Sequence, residues 1–138
     1  MEIYSKLDRA RASIRETPLK KTASGGMFKY FTPEEVEAIV AEACTEQKIL
    51  PVCSLKRDEH GLYQEMVLVD LEKPTEKGLV FTLATMKGDL KNTNETQNMG
   101  STDTYSERYI KMKVFQIKDN NLDPDGQQGG TTSNNFEI

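Results

Sequence analysis

The 138-residue sequence contains no tryptophan, one histidine and two cysteines. A lone histidine, His60, leaves neither a His-rich metal site nor a second catalytic histidine available. Cys44 and Cys53 lack the paired CxxC spacing that zinc sites use; one falls in an apolar helix pattern and the other in a strand pattern, so both are expected as buried free thiols. No stretch approaches the roughly 18 apolar residues of a membrane span. Met1-Glu2-Ile3-Tyr4 lacks the apolar core of a signal peptide, and the expected location is the cytoplasm. There is no GxxxxGK followed by Ser or Thr, so the loop by which P-loop proteins hold nucleotide phosphates is missing, and no cofactor is expected. No internal repeat is found.

What is present fits one compact domain with a polar tail. Hydrophobic residues make up 36% of the chain and charged residues 29%. The net charge of −4 is unevenly placed: the last twenty residues hold Asp119, Asp123, Asp125 and Glu137 and no Lys or Arg, leaving 18 basic and 18 acidic groups in residues 1–118. Residues 1–29 are locally basic, with Lys6, Arg9, Arg11, Arg15, Lys20, Lys21 and Lys29 against Glu2, Asp8 and Glu16. The expected division is a folded domain over 1–118 and a disordered acidic tail over 119–138, where apolar groups are too few to offset chain entropy.

Apolar spacing gives the elements. Ile3, Leu7, Ala10 and Ile14 mark a first amphipathic helix that Thr17-Pro18 closes. Lys20-Lys21 then lead into Ala23-Ser24-Gly25-Gly26, which reads as a mobile basic loop, favouring neither helix nor strand. Thr32-Pro33-Glu34-Glu35 starts a second helix with a capping box, and Val36, Ile39, Val40 and Ala43 give it a core stripe. The period then changes: runs at 50–55, 62–71 and 79–86 read as three antiparallel strands joined by the short loops 58–61 and 73–78. In the third, Leu79, Phe81 and Leu83 share one face. After a polar stretch at 91–98, a long helix is predicted from about 99 to 117, with Tyr105, Tyr109 and Met112 on one apolar side and Ile110, Val114 and Ile117 on a neighbouring one. The predicted fold class is α+β: an antiparallel sheet of three strands, or a larger curved one, packed by a long C-terminal helix, with two N-terminal helices.

Two places combine cations with aromatics. In the last helix, Arg108, Lys111 and Lys118 fall in one angular sector beside Tyr105 and Met112, a mixture that serves phosphates by charge and bases by stacking. The alternative is a solvated face with Tyr105 and Tyr109 in the core. Phe28-Lys29-Tyr30-Phe31 repeats the mixture, its alternative being a hydrophobic staple ahead of Thr32. Asp58, Glu59 and His60 are a weak metal-nuclease pattern, since adjacent acids in a hairpin loop are usually just solvated.

At these two places the sequence resembles the Erf family of phage single-strand annealing proteins. The likeness lies in an Arg-rich first helix, Phe28-Lys29-Tyr30-Phe31 opening an acidic helix, Leu50-Pro51-Val52, and Gly100-Ser101-Thr102-Asp103-Thr104-Tyr105-Ser106-Glu107-Arg108-Tyr109, over roughly residues 2–125. Two positions depart from the family pattern: Glu107 replaces the first of two basic residues, and Gln116-Ile117 replaces the usual Gly-Ile at the helix end. The resemblance implies ATP-independent binding and annealing of single-stranded DNA by a ring or helical homo-oligomer, without bond chemistry, alongside other phage or host recombination proteins. Arg108 and Lys111 are the carried-over DNA contacts, and Tyr105, Lys29, Tyr30, Lys20 and Lys21 complete the candidate set. A double-stranded RNA binding module is the competing reading, because it shares the order helix, three strands, helix, and a scaffold or inhibitor acting through protein contacts is another.

Overall fold

The computed structural model describes residues 2–17, 23–25, 28–85 and 95–118, with the backbone alone at 23–25, 28–30 and 95. Side-chain alternation builds the central sheet. β3 (Ile49–Asp58), β4 (Gly61–Asp70) and β5 (Leu79–Ala84) pair antiparallel in the order β3-β4-β5. Along β4 the residues Gln64, Met66, Leu68 and Asp70 are buried, while their neighbours point to the other face. Leu79, Phe81 and Leu83 of β5 pack against the same core, as their alternation predicts. Glu59 and His60 make a tight turn between β3 and β4, which Gly61 completes with φ 125°, a value that L side chains rarely adopt. Gly78 enters β5 so close to β4 that an added Cβ would lie 2.4 Å from the Leu68 carbonyl oxygen.

Three helices pack on the sheet's inner side. α1 (Ile3–Glu16) buries Leu7, Ala10 and Ile14. α2 (Pro33–Gln47) begins at the predicted capping box: the Glu35 amide donates to Thr32 Oγ1 at 3.1 Å, and the Thr32 amide donates to Glu35 Oε1 at 2.8 Å. It ends on Lys48 in the left-handed region, φ 59°, and β3 starts at once. α3 (Glu95–Phe115) lies across the sheet and adds Ile110, Met112, Val114 and Phe115 to the core. Each such burial contributes about 1.5–3 kcal/mol, so α3 is held chiefly by packing.

The sequence expectations are corrected at two elements. Ala23-Ser24-Gly25 is not a loop: β1 (Ala23–Gly25) pairs antiparallel with β2 (Phe28–Tyr30), Ser24 opposite Lys29. A strand partner so near in sequence satisfies backbone groups in a way that residue propensity does not register. α3 starts four residues earlier than predicted, because weak propensity at Thr96, Gln97 and Asn98 costs only tenths of a kcal/mol each. The expected acidic tail, 119–138, lies outside the described residues.

A partly buried ion cluster ties α1 to the end of β4. Lys6 Nζ lies 2.5 Å from Asp70 Oδ1 and 2.7 Å from Glu72 Oε1, and the Glu72 amide donates to Asp70 Oδ1 at 3.0 Å. Hydrogen bonding to Lys6 holds both carboxyls below their ordinary range, and the same bonds raise the lysine.

Candidate nucleic-acid interface

α3 presents two chemically different flanks. Its inner side carries polar anchors as well as apolar ones. Gln64, fully buried on β4, donates through Nε2 to Ser106 Oγ at 2.8 Å and to Asp103 Oδ1 at 3.0 Å, while its buried Oε1 has no partner. The amide orientation follows from charge, since the reverse would set an oxygen against the Asp103 carboxylate. The outer side carries Tyr105 and Tyr109, 50% and 55% exposed, followed by the exposed Lys113. These three are spaced four residues apart, so they form one row with about 6 Å between successive members.

This arrangement corrects the predicted faces of the helix. Tyr105 and Tyr109 do not join Met112 in the core; only Met112 is buried. The sector holding Arg108 and Lys111, expected to line an open groove, turns inward instead, leaving those residues 5% and 7% exposed. Angular spacing fixes which residues share a side of a helix, but the sheet decides which side is wet. Lys111 Nζ bonds Glu107 Oε2 at 2.7 Å, the residue that stands where the family pattern has a cation. Lys118, the third member of that sector, is exposed.

Arg108 has a more informative partner. Its Nε donates to the Phe31 carbonyl at 2.6 Å, and its guanidinium carbon stands 5.0 Å from the Tyr109 ring centre. The two cation and aromatic motifs read from the sequence therefore meet in space. Phe31 is 2% exposed and buried together with Val36, the pairing that a hydrophobic staple requires. It directly follows Lys29 and Tyr30, whose strand places their backbone beside this junction. Lys20 and Lys21 lie outside the described residues.

Above the N-terminal half of α3, a groove of about 780 Å³ separates the helix from the tip of the β3–β4 hairpin. Arg57 and His60 line the hairpin side, and Asn98, Met99 and Thr102 the helix side. Thr102 and Tyr105 are neighbours one turn apart, so groove and tyrosine row form one track, about 21 Å from residue 99 to residue 113. Arg57, Tyr109 and Lys113 were not among the candidate DNA contacts read from sequence, where Tyr109 was placed on an apolar side of the helix. For Tyr109 and Lys113 the usable signal was the four-residue spacing from Tyr105; for Arg57, nothing local marks it.

The remaining reactive groups have other surroundings. Burial pushes the Cys44 thiol up to about 12 and that of Cys53 up to about 11, so both are protonated near neutrality. Neither forms a disulfide. At the hairpin tip, Asp58 Oδ1 accepts the His60 amide at 2.8 Å, a turn-forming bond. Among the described residues no three acidic, His or Cys side chains cluster as metal ligands, and no helix is long and apolar enough to cross a membrane.

No curated protein and no solved structure matches the chain. A family model described as ERF superfamily matches residues 3–137, nearly the whole sequence. The α+β architecture and the meeting of the two motifs accord with that match, and the chain belongs to the ERF superfamily, a family of phage single-strand annealing recombination proteins.

Proposed function

We propose that this protein binds single-stranded DNA along the outer side of α3 and anneals complementary strands without ATP, as a homo-oligomer acting in the cytoplasm of the phage's host. The carrying observation is the row Tyr105, Tyr109 and Lys113, two half-exposed aromatic rings and a cation in line on one helix. Bases stack on the rings with little regard to sequence, and the cation takes a phosphate. Lys29 and Tyr30 on β2, with Lys20 and Lys21 before them in sequence, are proposed to add cations and an aromatic ring to this site. Arg108 and Lys111 belong to the same site as its support: Arg108 fixes α3 against the β2–α2 junction, Lys111 pairs with Glu107 one turn back on the same helix, and each reaches a phosphate only by exchanging that partner.

Charge balance favours a multimer. The body carries as many acidic as basic groups, so one subunit makes few phosphate contacts, and repetition along a strand must supply the rest. Strand pairing needs no bond chemistry, only a backbone held with its bases presented. The test mixes two complementary fluorescent oligonucleotides with the protein in the absence of ATP, with a denatured-protein control and a gel to verify that strands stay intact. Rapid pairing of intact strands is expected. Absence of both binding and pairing across low salt, with and without magnesium, would overturn the reading in favour of a protein scaffold.

A further inference from the structure

α1 carries a second row of aromatic and cationic side chains. Tyr4, Arg11 and Arg15 follow one another at spacings of seven and four residues, which sets them within about 40° of each other on one side of the helix, beside the stripe of Leu7, Ala10 and Ile14 that is buried. Tyr4 is 70% exposed and Arg15 is exposed. Arg11 is half-buried, because its Nε donates to the Val114 carbonyl at 2.7 Å. With Nε engaged, the edge formed by the two terminal nitrogens is the part of the guanidinium left to hold an anion. Val114 directly follows Lys113, so this one bond places the row on α1 at the end of the tyrosine row on α3.

The fold does not use the charges of this row. Lys6, Lys48, Lys56 and Lys111 each lie beside a carboxylate. Among the described residues Arg11 and Arg15 pair with none, and Asp8, the acid on their side of α1, is exposed and bonded to neither. Like charges four residues apart destabilise a helix. The helix dipole favours Arg15 in the last turn of α1, but it does not account for Arg11 in the middle or for the bare ring of Tyr4. We infer that Tyr4, Arg11 and Arg15 form a further binding segment for single-stranded nucleic acid: the two arginines hold phosphates of the strand that passes Lys113, and the Tyr4 ring stacks one of its bases. Phosphate contact and stacking are both indifferent to sequence, as annealing of any strand requires. An acidic protein would satisfy the arginines equally well; the ring in line with them and the continuity with Lys113 favour nucleic acid. From Tyr4 to Arg15 the segment is about 16 Å long. The inference rests on the proposed function and extends its site from one helix to two.

The test is binding of a labelled oligothymidine to the full chain, followed by anisotropy as salt is varied, with the melting temperature of each variant read by circular dichroism. Arg11 is left in place, since it also holds α3. Arg15→Gln removes the charge and keeps the helix propensity. It is expected to melt with the parent and to lower the slope of log K against log salt by about 0.7, the value of one phosphate contact on a single strand. Adding Tyr4→Ala is expected to bring the total loss of affinity to the order of 10-fold or more, because a stacked base goes with the phosphate. Arg15→Lys keeps the charge and is expected to keep the parent's slope, which separates binding from any effect on the helix. Parent affinity and slope in Arg15→Gln with Tyr4→Ala would overturn the inference and leave this side of α1 to a protein partner. A lower melting temperature with unchanged binding would assign Arg15 to the α1 dipole and overturn it as well. Weakened binding in this pair, beside parent-like binding by Tyr105→Ala with Tyr109→Ala, would refute the row on α3 and support the segment on α1. A parent that binds no oligonucleotide would overturn both.

Discussion

Replacing Arg108 by Met keeps the length of the side chain and removes every donor, which separates two roles that its position allows. Arg108 is 5% exposed and its Nε is 2.6 Å from the Phe31 carbonyl. A hydrogen bond to a charged group contributes about 1.5–3 kcal/mol, and the buried carbonyl left behind has no water to turn to. For a domain of this size about 1 kcal/mol corresponds to roughly 4 °C, so the variant should melt about 6–12 °C below the parent. Thermal melting by circular dichroism reads this directly. Binding of a labelled oligonucleotide, followed by anisotropy well below that melting point from 50 to 200 mM salt, reads the other role. A supporting residue leaves the slope of log K against log salt unchanged, whereas a lost phosphate contact lowers it by about 0.7. Undiminished thermal stability together with a shallower slope would refute the reasoning, because it would mean that the guanidinium leaves Phe31 for DNA.

Tyr105→Ala with Tyr109→Ala should cost no more than about 1 kcal/mol of stability, both rings being half exposed, yet weaken oligonucleotide binding at least 30-fold, given about 1–3 kcal/mol per stacked base; a loss under threefold in anisotropy would contradict the stacking row. Gln116→Gly should raise the urea midpoint by the equivalent of up to about 1 kcal/mol, because Gln116 sits at φ 59°, where a side chain is strained, less what glycine loses in unfolded entropy. An unchanged or lower midpoint would show that the turn carries no such strain. Lys6→Met should destabilise the protein at pH 7 and converge on the parent in acid. The folded-state carboxyls titrate below their ordinary values of 3.8 for Asp70 and 4.5 for Glu72, so their stabilisation is complete above those values and is lost as pH falls through the lowered ones. Lys6, raised above 10.5, contributes below that value and loses its contribution only as pH rises through the raised one. Urea midpoints at pH 7 and pH 3 that differ by the same amount for both proteins would disprove the link.

The helix end at Gln116 also shows how far the sequence could be read. The Ile117 amide donates to the Met112 carbonyl at 2.8 Å, and that of Gln116 to Lys113 at 3.4 Å, a Schellman ending with Gln in the place glycine prefers. The Gly-Ile of the family pattern is thus a backbone requirement, and the departure from it was visible in sequence while its meaning was not. The capping box at Thr32 and the three strands were legible because their causes are local: a side chain three residues from its partner, or a period of two. The β1–β2 hairpin was missed because its cause is pairing. The orientation of α3 was missed because apolar, aromatic and cationic residues all ring it, and only the sheet beneath chooses among them. Phe28-Lys29-Tyr30-Phe31 and Thr104 to Tyr109 could be marked as related in chemistry, but nothing in one dimension says that they touch.

That touch joins residues 77 positions apart. Closing so long a loop carries an entropic cost that is offset only when the elements between are in place. A piece that lacks either Phe31 or Arg108 therefore loses this support of the tyrosine row. A fragment starting after Phe31 would retain every residue of α3 and bury a guanidinium without its acceptor, and one ending before Arg108 would keep the basic N-terminal segment with nothing to fasten it. The support beneath the outer side of α3 thus needs both ends of the domain, and a nascent chain that ends before Arg108 does not yet have it.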